Sequence, residues 1–371
     1  MARIRLENIS KIFSGNVEAV KNFSLTFPEK IVVSLLGPSG CGKTTTMRII
    51  AGLESPTAGR VYFDGQNVTD LPARERNVAM VFQFPAIYPN VTVQDNIVFP
   101  LKAQSLSKKE IDQRVSEVVR TLDLEGVLNN LPRSLDAGMR QKVAIARAIV
   151  RKPNVFLFDE PLTNVDPEMR VELKSVIKRL SKELGQTFIY VTHDQSEALT
   201  LADRVGVMKD GRLLQYDEPG RVYDRPANTF VGWFLGNPGM NFIEVELKEA
   251  KNKFYLMSED LRYLIPSWAG QAIREKVSSK ELILGIRPEH IEISKMKRSE
   301  PWVEGMCTLV EPLAGRTILY VKLQRKEIRA KVIPSEAVAE GEKVWINLPW
   351  EEVRLFSREA QELIELNSGG E

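Results

Sequence analysis

Residues 31–44 of the chain read IVVSLLGPSGCGKT, and this stretch decides the fold of the residues around it. Its first six residues are nearly all apolar, which is typical of a short strand buried on both faces of a parallel sheet. The next eight match the pattern G-x-x-x-x-G-K-[ST] in full, and we expect a helix to begin at about Lys43. A strand, a glycine-rich loop and a helix in this order predict a backbone that wraps closely around an anion.

This loop predicts a nucleotide site that binds ATP. The amides of the loop and of the helix N-terminus present partial positive charge to phosphates. We expect Lys43 to reach the β- and γ-phosphates and the hydroxyl of Thr44 to bind Mg²⁺. A glycine-rich turn with a chance lysine is the alternative, and the flanking strand and helix argue against it. The residues predicted to contact the nucleotide are Gly37, Pro38, Ser39, Gly40, Cys41, Gly42, Lys43, Thr44 and Thr45.

Two further apolar runs extend the pattern along the chain. Residues 155–158 (VFLF) and 188–191 (FIYV) predict buried strands of the same sheet. Between strands lie helical stretches such as 107–123, where Ser107 is a suitable N-cap and apolar residues recur at helical spacing. Strands that alternate with helices predict an α/β sheet with loops at the carboxyl ends of its strands.

Polar side chains follow two of these strands directly. Asp159 ends the strand VFLFD and is expected to help hold Mg²⁺ indirectly, while Glu160 is the candidate to polarise an attacking water molecule. His193 follows the strand that ends at Thr192, where it could contact a γ-phosphate. Strand-end surface charges and a structural histidine are the alternatives, and the preceding phosphate loop favours the catalytic interpretation.

Composition excludes several classes of protein. The chain has 371 residues, which suggests two domains, and a net charge of +2 without a long basic run does not indicate a nucleic-acid partner. No stretch approaches the ~18 consecutive apolar residues of a membrane span, and the N-terminus has no signal-peptide core, so the chain is expected to stay in the cytosol. Cys41 and Cys307 can form neither a disulfide framework nor a zinc cluster, and neither is assigned a chemical role.

The sequence changes character near Asn237-Pro238-Gly239. Beyond it, short alternating segments punctuated by Gly or Pro predict a small all-β domain, a compact barrel. These segments are 317–323, 327–333 and 343–348. The predicted domains are 1–235, with a helical subdomain at about 84–153, and 236–371.

Taken together, the motifs of the first part resemble the nucleotide-binding domains of ABC transporters. In chain order they are the phosphate loop 37–45, Gln83, the signature region 135–139, the acidic strand 155–160, the loop 162–166 that ends in Asp166, and His193. The resemblance implies that Phe13 stacks on adenine, that Asp166 belongs to the nucleotide site, and that Gln83 joins Mg²⁺ and water to the membrane-facing surface. It also implies that segment 84–96 docks on membrane subunits.

Three segments of the second part resemble the regulatory extension of the sugar-importer subgroup, which includes the maltose and glycerol-3-phosphate importer ATPases. They are VGWFLGNPGMNF at 231–242, GIRPEH at 285–290 and VEPLAGRTILYVKL at 310–323. The resemblance implies an OB-like, TOBE-type barrel and an ATPase that powers import of a sugar, polyol or sugar-phosphate-like solute. It further implies two membrane-spanning permease subunits, an extracytoplasmic solute-binding protein, a second ATPase subunit and a peripheral position at the cytoplasmic face of the cell membrane.

The signature region departs from the family pattern. The family reads Leu-Ser-Gly-Gly-Gln, whereas this chain reads Leu135, Asp136, Ala137, Gly138, Met139. In the family each signature contacts the γ-phosphate bound by the other subunit, so Asp136 would bring a carboxylate towards a phosphate. Two like charges ~4 Å apart repel by about 4 kcal/mol at an effective dielectric of ~20. The N-terminus of a helix stabilises a negative charge by only ~0.3–1 kcal/mol. We therefore favour a heterodimer with a second ATPase subunit that has an intact signature, with a homodimer as the alternative.

Three other functions stay open at this point. A regulatory pseudo-ATPase would explain the altered signature, although Glu160 and His193 argue against it. An importer of a polyamine, iron or sulfate would use the same ATPase parts. A soluble ABC ATPase that acts on nucleic acid or ribosomes is disfavoured by the modest net charge and by the regulatory-type C-terminal part.

Overall fold

The computed structural model describes residues 3–277, 279–336 and 338–366 and divides the chain into two compact units, Met1–Gly220 and Arg221–Glu371. The strands of the first unit are β1 (Ile4–Phe13), β2 (Val17–Phe27), β3 (Val32–Leu36), β4 (Ala58–Phe63), β5 (Gln66–Asn67), β6 (Val78–Val81), β7 (Val155–Asp159), β8 (Thr187–Thr192), β9 (Arg204–Lys209) and β10 (Arg212–Asp217). Its helices are α1 (Lys43–Ala51), α2 (Val93–Val98), α3 (Lys108–Thr121), α4 (Ala137–Ile149), α5 (Pro167–Leu184) and α6 (Gln195–Leu201), and α7 (Pro219–Asp224) spans the division.

A six-stranded sheet organises the first unit, with strand order β10-β9-β3-β8-β7-β6. Strands β3, β6, β7, β8 and β9 run parallel, and β10 pairs antiparallel with β9 at one edge. Every residue of β3, β7 and β8 is buried, which matches the apolar runs that predicted these strands. Because parallel strands end at the same edge of a sheet, the loops that follow β3, β7 and β8 meet there.

A second, antiparallel sheet of order β2-β1-β4-β5 completes the first unit. This sheet was not predicted from the sequence. Helix α1 and the parallel sheet contribute residues to the same core as this antiparallel sheet. Members of that core include Ile4, Leu6, Phe23, Phe27, Val33, Leu35, Met47, Ile50 and Val61.

The helices between β6 and β7 belong to a separate core cluster with α5 and one face of the parallel sheet. Helix α3 begins after Ser107, as predicted, because Ser107 and Glu110 form a reciprocal capping box. The face of α3 that carries Val115, Val118 and Val119 is buried. This amphipathic pattern fixes which side of α3 packs inward.

The second unit is built mainly from two antiparallel sheets. Its strands are β11 (Asn241–Ala250), β12 (Lys253–Met257), β13 (Arg262–Ile265), β14 (Glu281–Ile286), β15 (Glu292–Ser294), β16 (Val303–Leu313), β17 (Arg316–Lys322), β18 (Glu327–Val332), β19 (Lys343–Asn347), β20 (Arg354–Ser357) and β21 (Leu363–Ile364). The strand orders are β13-β12-β11-β14-β20-β21 and β15-β19-β16-β17-β18, and one apolar core is shared by both sheets. The strands predicted from 317–323, 327–333 and 343–348 correspond to β17, β18 and β19.

Two helices of the second unit, α8 (Thr229–Phe234) and α9 (Ser267–Lys276), were not predicted. Helix α9 buries Ala269, Gly270 and Ile273. A Cβ at Gly270 would lie 2.1 Å from the ring of Phe254, so a glycine is required where the helix approaches β12. Within the described ranges of the chain, no helix combines the length and the apolar character that are needed to cross a bilayer.

Candidate active site

The glycine-rich loop between β3 and α1 depends on backbone conformations that favour glycine. Gly42 is the N-cap of α1 with φ of 100°, and Gly40 has φ of 78°. A Cβ at Gly42 would lie 2.3 Å from the carbonyl oxygen of Ala19, and one at Gly37 would lie 2.3 Å from that of Met208. The loop is therefore held against β2 and β9 at two points where no larger residue fits. Ser39 and Gly40, between these points, are exposed.

Lys43 lies at the first residue of α1, as predicted, and is only 4% exposed. Its Nζ donates to the carbonyl oxygens of Gly37 at 2.8 Å and Pro38 at 2.9 Å. The ammonium group is thus held inside the loop by backbone carbonyls. A phosphate that enters the loop would offer stronger, charged acceptors for the same donor.

Thr44 and Asp159, predicted to assist Mg²⁺ binding, are in direct contact. The Thr44 Oγ1 hydroxyl donates to Asp159 Oδ1 at 2.8 Å, which joins the start of α1 to the end of β7. Burial raises the pKa of the Asp159 carboxyl, and the hydrogen bond from Thr44 offsets part of the rise. A hydroxyl and a carboxylate beside a phosphate loop are the oxygen donors that Mg²⁺ prefers, so the residues fit this ion.

The structure also brings together Glu160 and His193, two of the three predicted catalytic residues. His193 Nδ1 lies 3.0 Å from Glu160 Oε2, and the Thr163 hydroxyl donates to the same oxygen at 3.3 Å. The Glu160 amide donates to the carbonyl of Val191 at 2.9 Å, so Glu160 is anchored to β8 although it follows β7. Its φ of 47° turns the chain sharply at this point, and the carboxylate is 20% exposed. The carboxylate is thereby fixed in orientation and accessible to water.

Gln83, the third predicted catalytic residue, follows β6 and is partly buried. Its carbonyl oxygen accepts a hydrogen bond from the side chain of Asn164 at 3.3 Å. Asn164 lies in the loop 162–166, in which only Asp166 was a predicted site residue. Thr163 and Asn164 were therefore missed, because a threonine and an asparagine in a loop match no motif by themselves.

Asp166 and Phe13 have definite positions at the ends of elements. Asp166 is the N-cap of α5, where its Oδ1 accepts from the amide of Met169 at 3.0 Å. Phe13 ends β1 and is 39% exposed, with the Nζ of Lys11 5.0 Å from its ring centroid. An exposed aromatic ring at a strand end is available for stacking, and the role of Phe13 in binding adenine stays a prediction.

The signature region lies at the start of α4. Asp136 is exposed and is the N-cap of this helix, and its Oδ1 accepts from the amide of Met139 at 2.7 Å. Leu135 is buried, and Ala137 is the first residue of α4. Gly138 faces α5 so closely that a Cβ would lie 2.2 Å from Met169 Cγ. The altered segment thus keeps a well-formed helix start.

Family models match most of the chain. Residues 20–163 match the model described as ABC transporter, residues 236–291 match the MalK OB fold domain, and residues 284–356 match the TOBE domain. The α/β class of the first unit and the OB/TOBE class of the second are therefore confirmed.

Individual relatives extend over nearly the whole chain. The trehalose/maltose import ATP-binding protein MalK of Thermococcus litoralis is 42% identical over 368 residues, covering 96% of this chain and 98% of the relative. The oligosaccharides import ATP-binding protein MsmX of Bacillus subtilis is 38% identical over 367 residues, covering 97% and 99%. The resemblance to carbohydrate-importer ATPases is confirmed by these matches.

A solved structure shows the same nucleotide-binding fold. It is the dimeric post-hydrolysis state of the ATP-binding cassette MJ0796 bound to ADP and Pi. That structure matches with a TM-score of 0.53 at 32% identity and covers 58% of this chain and 98% of its own. From the family models, the full-length relatives and this likeness, the chain belongs to the ATP-binding subunits of ABC transporters, in the group that carries MalK-type OB and TOBE domains.

Proposed function

We propose that this chain hydrolyses ATP to power an importer of a sugar, a polyol or a sugar-phosphate-like solute. The observation that carries the proposal is the contact between Glu160 and His193 beside a complete phosphate loop. The solute class is supported by relatives named for trehalose/maltose and oligosaccharide import that align with almost the entire chain.

The chemistry follows from the positions of the side chains. Glu160 accepts a proton from water as the water oxygen attacks the γ-phosphorus, and the bond to the β–γ bridging oxygen breaks to leave ADP and phosphate. His193 and Thr163 fix the Glu160 carboxylate through its Oε2. Lys43 neutralises charge on the β- and γ-phosphates. When bound, Mg²⁺ supplies further charge neutralisation, and Thr44, Gln83 and Asp159 are the residues that would hold it.

Replacing Glu160 by Gln tests this assignment. General-base catalysis contributes typically 10²–10⁴-fold, so we expect E160Q, assayed with the companion subunits of the importer, to lose turnover by roughly this factor. Binding of Mg-ATP should remain, because the phosphate loop is unchanged. The matched control is E117Q, which alters an exposed glutamate of α3. Unchanged turnover in E160Q, or failure of the parent protein to retain Mg-ATP, would contradict the proposed function.

The position of the subunit and its membrane partners belong to the same proposal. Exposed aromatic side chains, Phe84 at 73%, Tyr88 at 43% and Phe99 at 47%, lie in and beside the segment 84–96. Phe99, Phe82 and Ala86 line a groove of about 550 Å³ next to this segment. We infer that the segment 84–96 docks the subunit on the membrane-spanning part of the importer, which consists of two permease subunits, at the cytoplasmic face of the membrane. An extracytoplasmic solute-binding protein completes the importer on the other side. The net charge of +2 gives no support for a nucleic-acid partner.

We further propose that the ATPase pair is asymmetric. The amide of Met139 donates to the side chain of Asp136. This amide is one of the donors at the N-terminus of α4 that would otherwise be available to a phosphate bound by the other subunit. The Asp136 carboxylate would also repel that phosphate, by about 4 kcal/mol at ~4 Å in an effective dielectric of ~20. A different ATPase subunit with an intact signature would complete the site on Lys43. A homodimer is the alternative arrangement.

A further inference from the structure

A groove of about 550 Å³ in the second unit is lined by aromatic and charged side chains. It lies among the start of α9, the turn at 350–352, and strands β20 and β21. The side chains that matter here are those of Arg225, Trp268, Trp350, Glu351, Arg354 and Glu365. Pockets of about 300–1,000 Å³ are typical for small-molecule ligands, so the groove has room for a sugar of one or two rings.

Two tryptophan rings form a corner in this groove. Trp268 and Trp350 meet edge to face, with ring centroids 6.4 Å apart and an interplanar angle of 76°. Trp268 remains 44% exposed, which leaves a large apolar ring partly in contact with water. Indole faces carry negative charge density and attract polarised C–H groups. A pyranose ring presents C–H groups on its faces and hydroxyl groups on its edge, so it can stack on such a ring.

Arg354 offers a fixed hydrogen-bond donor in the same groove. Its Nε donates to the carbonyl of Asp224 at 2.7 Å, and its Nη1 donates to those of Glu351 at 2.7 Å and Val353 at 3.0 Å. These bonds hold the plane of the guanidinium. Within residues 3–277, 279–336 and 338–366, its Nη2 makes no hydrogen bond to protein, so a ligand hydroxyl could accept from it.

The charge of the lining selects the ligand class. Two guanidinium groups, of Arg225 and Arg354, are balanced by the carboxylates of Glu351 and Glu365, both exposed. Carboxylates accept hydrogen bonds from hydroxyl groups but repel phosphates. The groove therefore suits a ligand that both donates and accepts hydrogen bonds without net charge.

We propose that this groove binds a neutral carbohydrate, with a sugar ring stacked on Trp268 and its hydroxyl groups bonded to Arg354 and the two glutamates. That the ligand comes from the solutes carried by the importer rests on the proposed function. Binding of such a solute on the cytoplasmic side would let the subunit sense what has been imported.

Titration of the full-length chain with maltose, trehalose and glucose tests the proposal by calorimetry. We expect saturable binding of at least one of these sugars. Removing a stacked indole in W268A should weaken it about tenfold, which corresponds to about 1.4 kcal/mol of aromatic contact. W268F should retain part of the affinity. W233A is the matched control, because Trp233 is 58% exposed in the same unit but lies outside the groove.

Binding of Mg-ATP, measured on the same preparations, separates the possible failures. No saturable binding of any of the three sugars to a chain that retains Mg-ATP would overturn this inference and leave the proposed function intact. Binding that W268A does not weaken, or inorganic phosphate binding that W268A abolishes, would also overturn it. Sugar binding by a chain that lacks Mg-ATP binding would support the groove and contradict the proposed function.

Discussion

Asp159 is a carboxylate that is only 7% exposed at the end of a fully buried strand. Burial raises its pKa above the value of about 3.9 that an unfolded chain has. Because the folded-state pKa lies above the unfolded one, folding takes up a proton in the interval between them. The free energy of unfolding therefore falls as pH rises through that interval, and above it the ionised Asp159 destabilises the chain without ligands.

Substitution of Asp159 by Asn removes this charge and keeps an oxygen that can accept from Thr44. We expect D159N to be more stable than the parent chain at pH 7 in the absence of nucleotide and Mg²⁺. The difference should shrink as pH is lowered, because the raised pKa lets the parent carboxyl take up its proton at a higher pH in the folded chain than in the unfolded chain. Thermal unfolding at several pH values measures the effect. A D159N variant that is less stable than the parent at pH 7 would contradict the assigned cost of burial.

At the residue scale, the sequence predicted which side chains belong to the candidate site better than it predicted the contacts between them. Glu160 and His193 could be chosen separately, because each follows an apolar strand. Their 3.0 Å contact depends on β7 and β8 being neighbours in the sheet, and strand order is not written in either segment. Thr163, which holds the same carboxylate, could be found only from the folded loop.

At the element scale, α4 begins with a well-formed N-cap at Asp136, and the proposed asymmetric pair requires that the same residue is unsuited to a phosphate of the other subunit. An aspartate is among the best N-cap residues, so the local fold tolerates the change from the family pattern. The same carboxylate sits where the family presents a serine to a phosphate. If the proposed pair is correct, Asp136 supports the stability of its own helix but impairs the nucleotide site of the opposite subunit.

Variants at this position separate charge from shape. The purified chain alone should hydrolyse ATP slowly, and D136S combined with A137G should raise its turnover at least about tenfold, because the phosphate repulsion of several kcal/mol is relieved. D136N keeps a good N-cap without the charge, so it should recover part of this gain if repulsion is the cause. Steady-state ATPase assays of the three proteins measure the effect. Vigorous hydrolysis by the unaltered chain would argue for a working homodimer.

Elements with strong local signals were predicted well. Strands β3, β7 and β8 are continuous apolar runs, and α3 has a capping box and a regular apolar face. Helix α9 was missed because it is short and contains Gly270, a weak helix former that is needed there by close packing on Phe254. The antiparallel sheet was missed because β1 and β2 contain bulges that interrupt their alternation.

At the scale of the whole molecule, each unit has a core of its own. The clusters around Phe156 and Phe23 consist of residues from the first unit, and the cluster around Leu284 consists of residues from the second. All of the residues predicted to bind nucleotide lie in the first unit. A ligand that binds the folded state stabilises it by about 2.7 kcal/mol at a concentration of 100 Kd.

The E160Q chain is suited to calorimetry because its turnover is strongly reduced, and we expect it to show two unfolding transitions. Mg-ATP at about 100 Kd should raise one transition by roughly 5–10 °C, given ~2–4 °C per kcal/mol for units of this size, and leave the other unchanged. The same scan with Mg-ADP is a control for the γ-phosphate. A single transition that moves as a whole would show that the units unfold together.

The carboxylate that caps α4 also bears on the energetics of transport. In the proposed pair, nucleotide held by Lys43 turns over, whereas nucleotide held by the companion faces Asp136 and exchanges slowly. Each import cycle would then consume one ATP molecule instead of two. The companion's nucleotide would stay bound in the closed dimer from one cycle to the next. The number of ATP molecules consumed per transported solute would then depend on which residue is the N-cap of α4.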